Sequence, residues 1–150
     1  MRVVVQRVRH AGVSIGGALH SEIGLGLLLL VGICRSDSEA DLAWMSRKVS
    51  SLRIFEDEAG KMNLSVKDVG GSILAVSQFT LYADASRGNR PGFSEAAPPD
   101  AALDLFDRFI GTLRTVSGLP VETGSFGADM QVSLLNDGPV TIILESPVKP

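Results

Sequence analysis

The chain has 150 residues, 45% of them hydrophobic, which suits one folded domain with a substantial core. Its net charge of −3 argues against indiscriminate nucleic-acid binding, which shows as a basic balance. Cys34 is the only cysteine, which excludes an internal disulfide, and its apolar neighbours predict a buried, unreactive thiol.

Residues 1–8 read as a strand and residues 12–15 as the start of its partner, with His10-Ala11-Gly12 as the turn between them. The first residues lack the charged, apolar, small-residue order of a signal peptide. Arg2, Arg7 and Arg9 alternate with apolar residues and could share one basic strand face, although solvated surface charge is the simpler reading. Residues 19–23 and 25–33 continue the strands. The apolar run over residues 25–34 is shorter than the roughly 20 residues a bilayer span needs, so a cytoplasmic protein with no membrane partner is expected.

Ser36-Asp37-Ser38-Glu39 supplies helix-capping chemistry, and Leu42, Met45, Val49 and Leu52 keep the spacing of a single buried helical face. Residues 56–60 form a polar turn, and residues 73–79 an apolar strand. Residues 83–100, rich in Gly, Pro, Asn, Ser and Arg, predict a long loop carrying Arg87 and Arg90. Pro99-Asp100 opens a second helix with Leu103, Phe106, Ile110 and Leu113 on one face, and Gly118-Leu119-Pro120 ends it. Strands over residues 121–123, 130–135 and 140–144 finish the chain. The order predicts a single α/β domain over residues 1–150, mixed but mainly antiparallel, with two principal helices. Neither GxGxxG nor GxxxxGK[ST] is present, so neither usual phosphate cradle is available.

Two stretches place hydrogen-bonding groups where a plain core strand carries none. Ser77-Gln78-Phe79-Thr80-Leu81 closes an apolar run, and Asn136-Asp137-Gly138-Pro139-Val140-Thr141 interrupts what otherwise reads as continuous strand. On local grounds Ser77, Gln78 and Thr80 could simply satisfy backbone groups, and Gly138-Pro139 could be an ordinary hairpin turn. Other chemistry fits the chain poorly. A Ser or Thr nucleophile needs a base, yet His10 and His20 belong to no triad motif. Two distant histidines and one cysteine give no zinc spacing, and Asp37, Glu39 and Asp41 read as the charged first turn of a helix. No metal or other cofactor is expected. What remains is a site made chiefly of main-chain groups.

Both stretches resemble the SQFTL and NxGPVT signatures of the D-aminoacyl-tRNA deacylases. The likeness extends through Val5-Gln6-Arg7-Val8, Arg53-Ile54-Phe55, Gly60-Lys61-Met62-Asn63 and Ala128-Asp129-Met130-Gln131-Val132-Ser133. It implies a compact layered β/β/α architecture, a homodimer, and hydrolysis of the ester at the 3′ end of D-aminoacyl-tRNA, with mischarged glycyl-tRNA as a further substrate. Backbone amides near Phe79 and Thr80 would stabilise charge on the ester carbonyl, with the RNA 2′-hydroxyl assisting and Thr80 the side chain to test. Ser77, Gln78 and Met130 would line the substrate site. Gly138-Pro139 would be cis and would enter the other subunit's site, where a rigid carbonyl pair leaves room only for hydrogen and so rejects L-residues. Arg7 would brace those carbonyls or, alternatively, touch the RNA backbone. Two rivals remain: a related deacylase for L-alanine, and a non-catalytic nucleic-acid-binding protein. Gly92 replaces a small polar residue common in the family, a departure that bears on loop rigidity.

Overall fold

A computed structural model describes residues 1–147. Its elements are β1 (Arg2–Ile15), β2 (Ala18–Ile23), β3 (Gly26–Gly32), α1 (Glu39–Ser51), β4 (Phe55–Glu56), β5 (Met62–Leu64), β6 (Ser72–Ser77), a 3-10 helix (Phe79–Tyr82), α2 (Pro99–Ser117), β7 (Val121–Thr123) and β8 (Gln131–Glu145).

The first strand differs from expectation. β1 runs through residues 10–12 without turning, and the turn falls at Gly16 and Gly17, both at positive φ. The misleading signal has a physical origin. The β1 register slips between Gln6 and Val8 and again between Val8 and His10, so the two-residue apolar alternation breaks where the strand in fact continues. The first half of β1 pairs antiparallel with β3, from Arg2↔Gly32 to Val8↔Gly26, and the second half with β2. Along its other edge β1 pairs antiparallel with β8 from Arg2↔Glu145 to Ser14↔Gln131. β6 and β7 extend the sheet from β3 in parallel, giving the order β2-β1-β3-β6-β7 with β8 on β1.

Two apolar clusters explain why these strands make layers. Val3, Val5, Leu27, Leu29, Ile73 and Ala75 face α1 and α2 across one core, meeting Leu42, Met45, Val49, Phe106, Phe109 and Leu113. Val8, Ala11, Val13 and Ile23 instead bury against Leu28, Leu74 and Val76 on the opposite face of β3 and β6. The long strands therefore curl over the sheet, and Ser21 Oγ of β2 donates to the Thr123 carbonyl of β7 at 2.7 Å, nearly closing a barrel. The result is the expected α/β fold, a β/β/α stack with two helices.

Local chemistry sets the helix ends. The Ser38 amide donates to Asp41 Oδ2 at 2.8 Å in a capping box. Asp37 lies outside that first turn, where it accepts the Cys34 amide at 2.8 Å and the nitrogen of Met1. Cys34 itself is only half-buried, its thiol 3.3 Å from Ser36 Oγ. Pro99 opens α2 and Gly118, at φ 66, ends it. Phe106, Ile110 and Leu113 form the expected buried face of α2, joined by the fully buried Phe109, whereas Leu103 is 40% exposed.

Candidate active site

β6 ends at Ser77, where Ser77 pairs with Val31 and the Gln78 amide donates to the Val31 carbonyl at 2.8 Å. The strand stops two residues earlier than expected, and the chain then tightens into the 3-10 helix. The first bond of that turn runs from the Leu81 amide to the Gln78 carbonyl at 3.2 Å. The amides of Phe79 and Thr80 thus precede the first helical hydrogen bond, as the leading amides of any helix do. Thr80 is exposed, and its Oγ1 accepts a hydrogen bond from Gln78 Nε2. Phe79 is 57% exposed and meets Phe93 edge-on, with ring centroids 5.1 Å apart.

This strand end opens into a cleft of about 330 Å³ whose walls include Ser77, Gln78, Phe79, Phe126, Gly127 and Met130. The structure therefore brings together Ser77, Gln78, Phe79 and Met130 from distant parts of the chain, with Thr80 just beyond. Neither histidine lines the cleft, and both are exposed. Beyond Phe79 a second, apolar hollow is walled by Phe79, Phe93, Pro98 and Ala102. The loop carrying Phe93 is fastened at both ends of its turn: Asp84 and Gly92 exchange backbone hydrogen bonds at 2.8 and 2.9 Å, and Arg35 Nε donates to the Ser94 carbonyl at 2.7 Å. Hydrogen bonds from Ser86 lower the pKa of Asp84.

Gly138, Pro139 and Arg7 do not line this cleft. Gly138-Pro139 is a cis peptide bond, but the segment is not a hairpin, because both flanks of β8 pair with the same strand. Between Gln6↔Thr141 and Val8↔Asn136, Arg7 alone faces residues 137–140. The extra residues bulge out of the sheet and leave Gly138 and Pro139 exposed. Arg7, only 6% exposed, holds the bulge from behind: its Nε donates to the Asp137 carbonyl at 2.8 Å and its Nη1 to the Ile54 carbonyl at 2.7 Å. From this buried position it grips the carbonyl beside the Gly-Pro pair.

Two further residues complete this frame, Asn136 from the second motif and Arg2, whose role has no local sequence signal. Asn136 Oδ1 accepts the Val140 amide at 2.7 Å, and its Nδ2 donates to the Val140 carbonyl at 3.2 Å, closing the neck of the bulge. Arg2 Nη1 donates to the Leu81 carbonyl at 2.6 Å while its Nε pairs with Glu145, so it ties the 3-10 helix to β8. Arg2 also lies 4.9 Å from the ring centre of Tyr82, whose hydroxyl pKa is raised chiefly by burial. A shared basic face of Arg2, Arg7 and Arg9 does not form, since Arg2 pairs with Glu145, Arg9 with Asp137, and Arg7 is buried.

A sequence model of D-Tyr-tRNA(Tyr) deacylase matches residues 4–145. A D-aminoacyl-tRNA deacylase of Chlorobaculum tepidum is 73% identical over 150 residues, covering 100% of both chains. Another, of Thermomicrobium roseum, is 61% identical over 146 residues, covering 97% of this chain and 94% of that one. Among solved structures, a c-Myc DNA unwinding element binding protein superposes with a TM-score of 0.93 at 46% identity, covering 99% of this chain and 100% of that one. A chain described as a probable eukaryotic D-amino acid tRNA deacylase has the same fold, with a TM-score of 0.83 at 18% identity, covering 95% of this chain and 97% of that one.

Proposed function

The chain belongs to the D-Tyr-tRNA(Tyr) deacylase family, hydrolases of aminoacyl-tRNA esters, and from that premise we propose that it removes D-amino acids from tRNA in the cleft at the end of β6. The observation that carries this reading is the convergence of Ser77, Gln78 and Phe79 with Met130 around one cleft. An aminoacyl ester is already activated, so the main tasks are to orient it and to stabilise negative charge on its carbonyl oxygen as water attacks. The leading amides of the 3-10 helix, those of Phe79 and Thr80, are the donors for that oxygen. The 2′-hydroxyl of the terminal ribose assists, and no side chain serves as nucleophile: no histidine lines the cleft to activate Ser77, and Thr80 is bonded to Gln78. The apolar hollow beside Phe79 and Phe93 offers ring faces for the terminal base.

Selection of D over L rests on a second copy of the chain. The Gly138-Pro139 bulge is braced by Arg7 and Asn136 yet does not line the cleft at the end of β6. A homodimer that inserts one protomer's bulge into its partner's cleft brings the two motifs together. β8 suits such pairing, since its only strand partner among the described residues is β1, and Leu135 and Ile143 on it are 47% and 67% exposed. A wall that admits only hydrogen at the L side-chain position accepts D-residues broadly and glycine too, so mischarged glycyl-tRNA is a second substrate. The enzyme thus proofreads aminoacyl-tRNA in the cytoplasm. No described helix is long and apolar enough to cross a membrane.

The test is the deacylation rate on D-tyrosyl-, L-tyrosyl- and glycyl-tRNA without added metal. Hydrolysis of the D and glycyl esters with the L ester spared is the expected result. Hydrolysis of neither tyrosyl ester above the blank defeats it. The likeness to a DNA unwinding element binding protein favours a second reading, duplex DNA binding, and tight salt-sensitive binding to duplex DNA but not tRNA would support that one.

A further inference from the structure

The last turn of α1 carries a concentration of positive charge that the site described above does not use. Arg47, Lys48 and Arg53 surround a surface hollow of about 380 Å³ together with Trp44, Ser51 and Leu52, and no carboxylate lines it. The three cations are exposed, and among the described residues none forms a salt bridge. The Lys48 ammonium sits 5.3 Å from the centre of the Trp44 ring, an apolar face beside the charges. Arg53 Nε donates to the Asn63 carbonyl at 3.0 Å and, after hydrogen bonds from Ser65, its charge helps to lower the pKa of Asp68, yet on a chain whose net charge is −3 the three neighbouring cations still form a local anion-attracting field.

The patch is also joined to the bulge. Ile54, directly after Arg53, gives its carbonyl to Arg7 Nη1 at 2.7 Å, and the Nε of the same guanidinium holds the Asp137 carbonyl at 2.8 Å. One buried arginine therefore links the end of the basic patch to the residue preceding Gly138. Resting on the cross-subunit reading above, we propose that Arg47, Lys48 and Arg53 bind backbone phosphates of the tRNA acceptor stem as its 3′ end enters the partner's cleft. In that reading the patch stays fixed, through Ile54 and Arg7, to the bulge that enters the partner's cleft. A cationic surface with few base-reading groups suits an A-form duplex, which proteins grip through phosphates and shape rather than sequence.

The test compares two substrates, full-length D-tyrosyl-tRNA and a D-tyrosyl ester of a short CCA-ended oligonucleotide that lacks the stem, on the full chain and on an R47E/K48E variant. For the variant, KM on full-length tRNA should rise about tenfold at moderate salt, with kcat nearly unchanged and the short ester unaffected. The salt dependence of binding to uncharged tRNA should flatten by about one phosphate contact per residue changed. The milder R47Q/K48Q variant should show a smaller change in the same direction. An unchanged KM on tRNA overturns the proposal, as does an equal loss on both substrates, which would place the effect in the catalytic frame. Failure of the unmodified protein to cleave either ester would instead defeat the deacylase reading on which the proposal stands.

Discussion

The end of β6 and the middle of β8 carry the two sequence motifs, yet they are built in opposite ways. At the end of β6 the chain leaves the sheet, and the groups it presents are leading amides and lightly held side chains beside an open cleft. In the middle of β8 the chain stays in the sheet, and four residues face one on β1, with Gly138 and Pro139 pushed out to solvent while Arg7 and Asn136 hold the bulge from behind. The first region is a container without a rigid wall. The second is a rigid wall without a container. In the proposed reading, catalysis of an activated ester asks little of side chains, whereas chiral exclusion demands a surface that does not yield, and the buried Arg7 and the doubly bonded Asn136 brace the bulge assigned to that task.

The largest expected effect comes from removing the brace. Arg7→Ala leaves the Asp137 and Ile54 carbonyls without their charged donor and empties the volume of a buried side chain. Hydrogen bonds to a charged group contribute about 1.5–3 kcal/mol each, so a loss of about 3 kcal/mol in urea unfolding is expected. Rejection of L-tyrosyl-tRNA should fall with it. A variant with parental stability and intact selectivity would show that the bulge holds itself.

A smaller and more local effect is expected at Gly138. Its φ is +145°, and an added Cβ would lie 2.7 Å from Val140 Cγ2, 3.0 Å from the Val140 nitrogen and 3.2 Å from Arg7 Nη2. Gly138→Ala should therefore cost about 2 kcal/mol of stability. Displacement of the wall should also narrow the ratio of D- to L-ester hydrolysis rates more than it slows hydrolysis of the D ester. If the ratio stayed constant while stability fell, the exclusion surface would have to lie elsewhere.

The same contrast explains what could be read before the fold was known. Ser77 to Leu81 was legible because its polarity follows an apolar run directly, and a strand end is a local property. The bulge was legible only as an interruption. Local turn chemistry favours a hairpin at Gly138-Pro139, and what prevents one is pairing to β1, with Arg7 standing 130 positions away in sequence from the carbonyl it holds. Misplacing the β1 turn at residues 10–12 has a related root, since next to it β1 itself carries an extra residue, Arg9, between the pairs Val8↔Asn136 and His10↔Leu135. Leu103 looked as apolar as Phe109, and the packing of α2 on α1 and the sheet decided which of them was buried. Arg47 and Lys48 on α1 and Arg53 just beyond it looked like ordinary surface charge and gained meaning only through Ile54 and Arg7.

Thr80 should show the smallest effect, and the result bears most directly on mechanism. Its hydroxyl is the most conspicuous in the first motif, and a side-chain nucleophile would make it indispensable. The structure gives that hydroxyl Gln78 Nε2 as a donor and no histidine in the cleft to take its proton. In the main-chain reading, Thr80→Ala keeps the backbone amide in place and removes only an exposed hydrogen bond, a change of about 1 kcal/mol. The rate on D-tyrosyl-tRNA should then fall by less than about tenfold, with selectivity against the L ester unchanged. Near-complete loss of turnover in a folded Thr80→Ala protein would restore the hydroxyl to the centre of the chemistry, and the open container at the end of β6 would prove as specialised as the braced wall in β8.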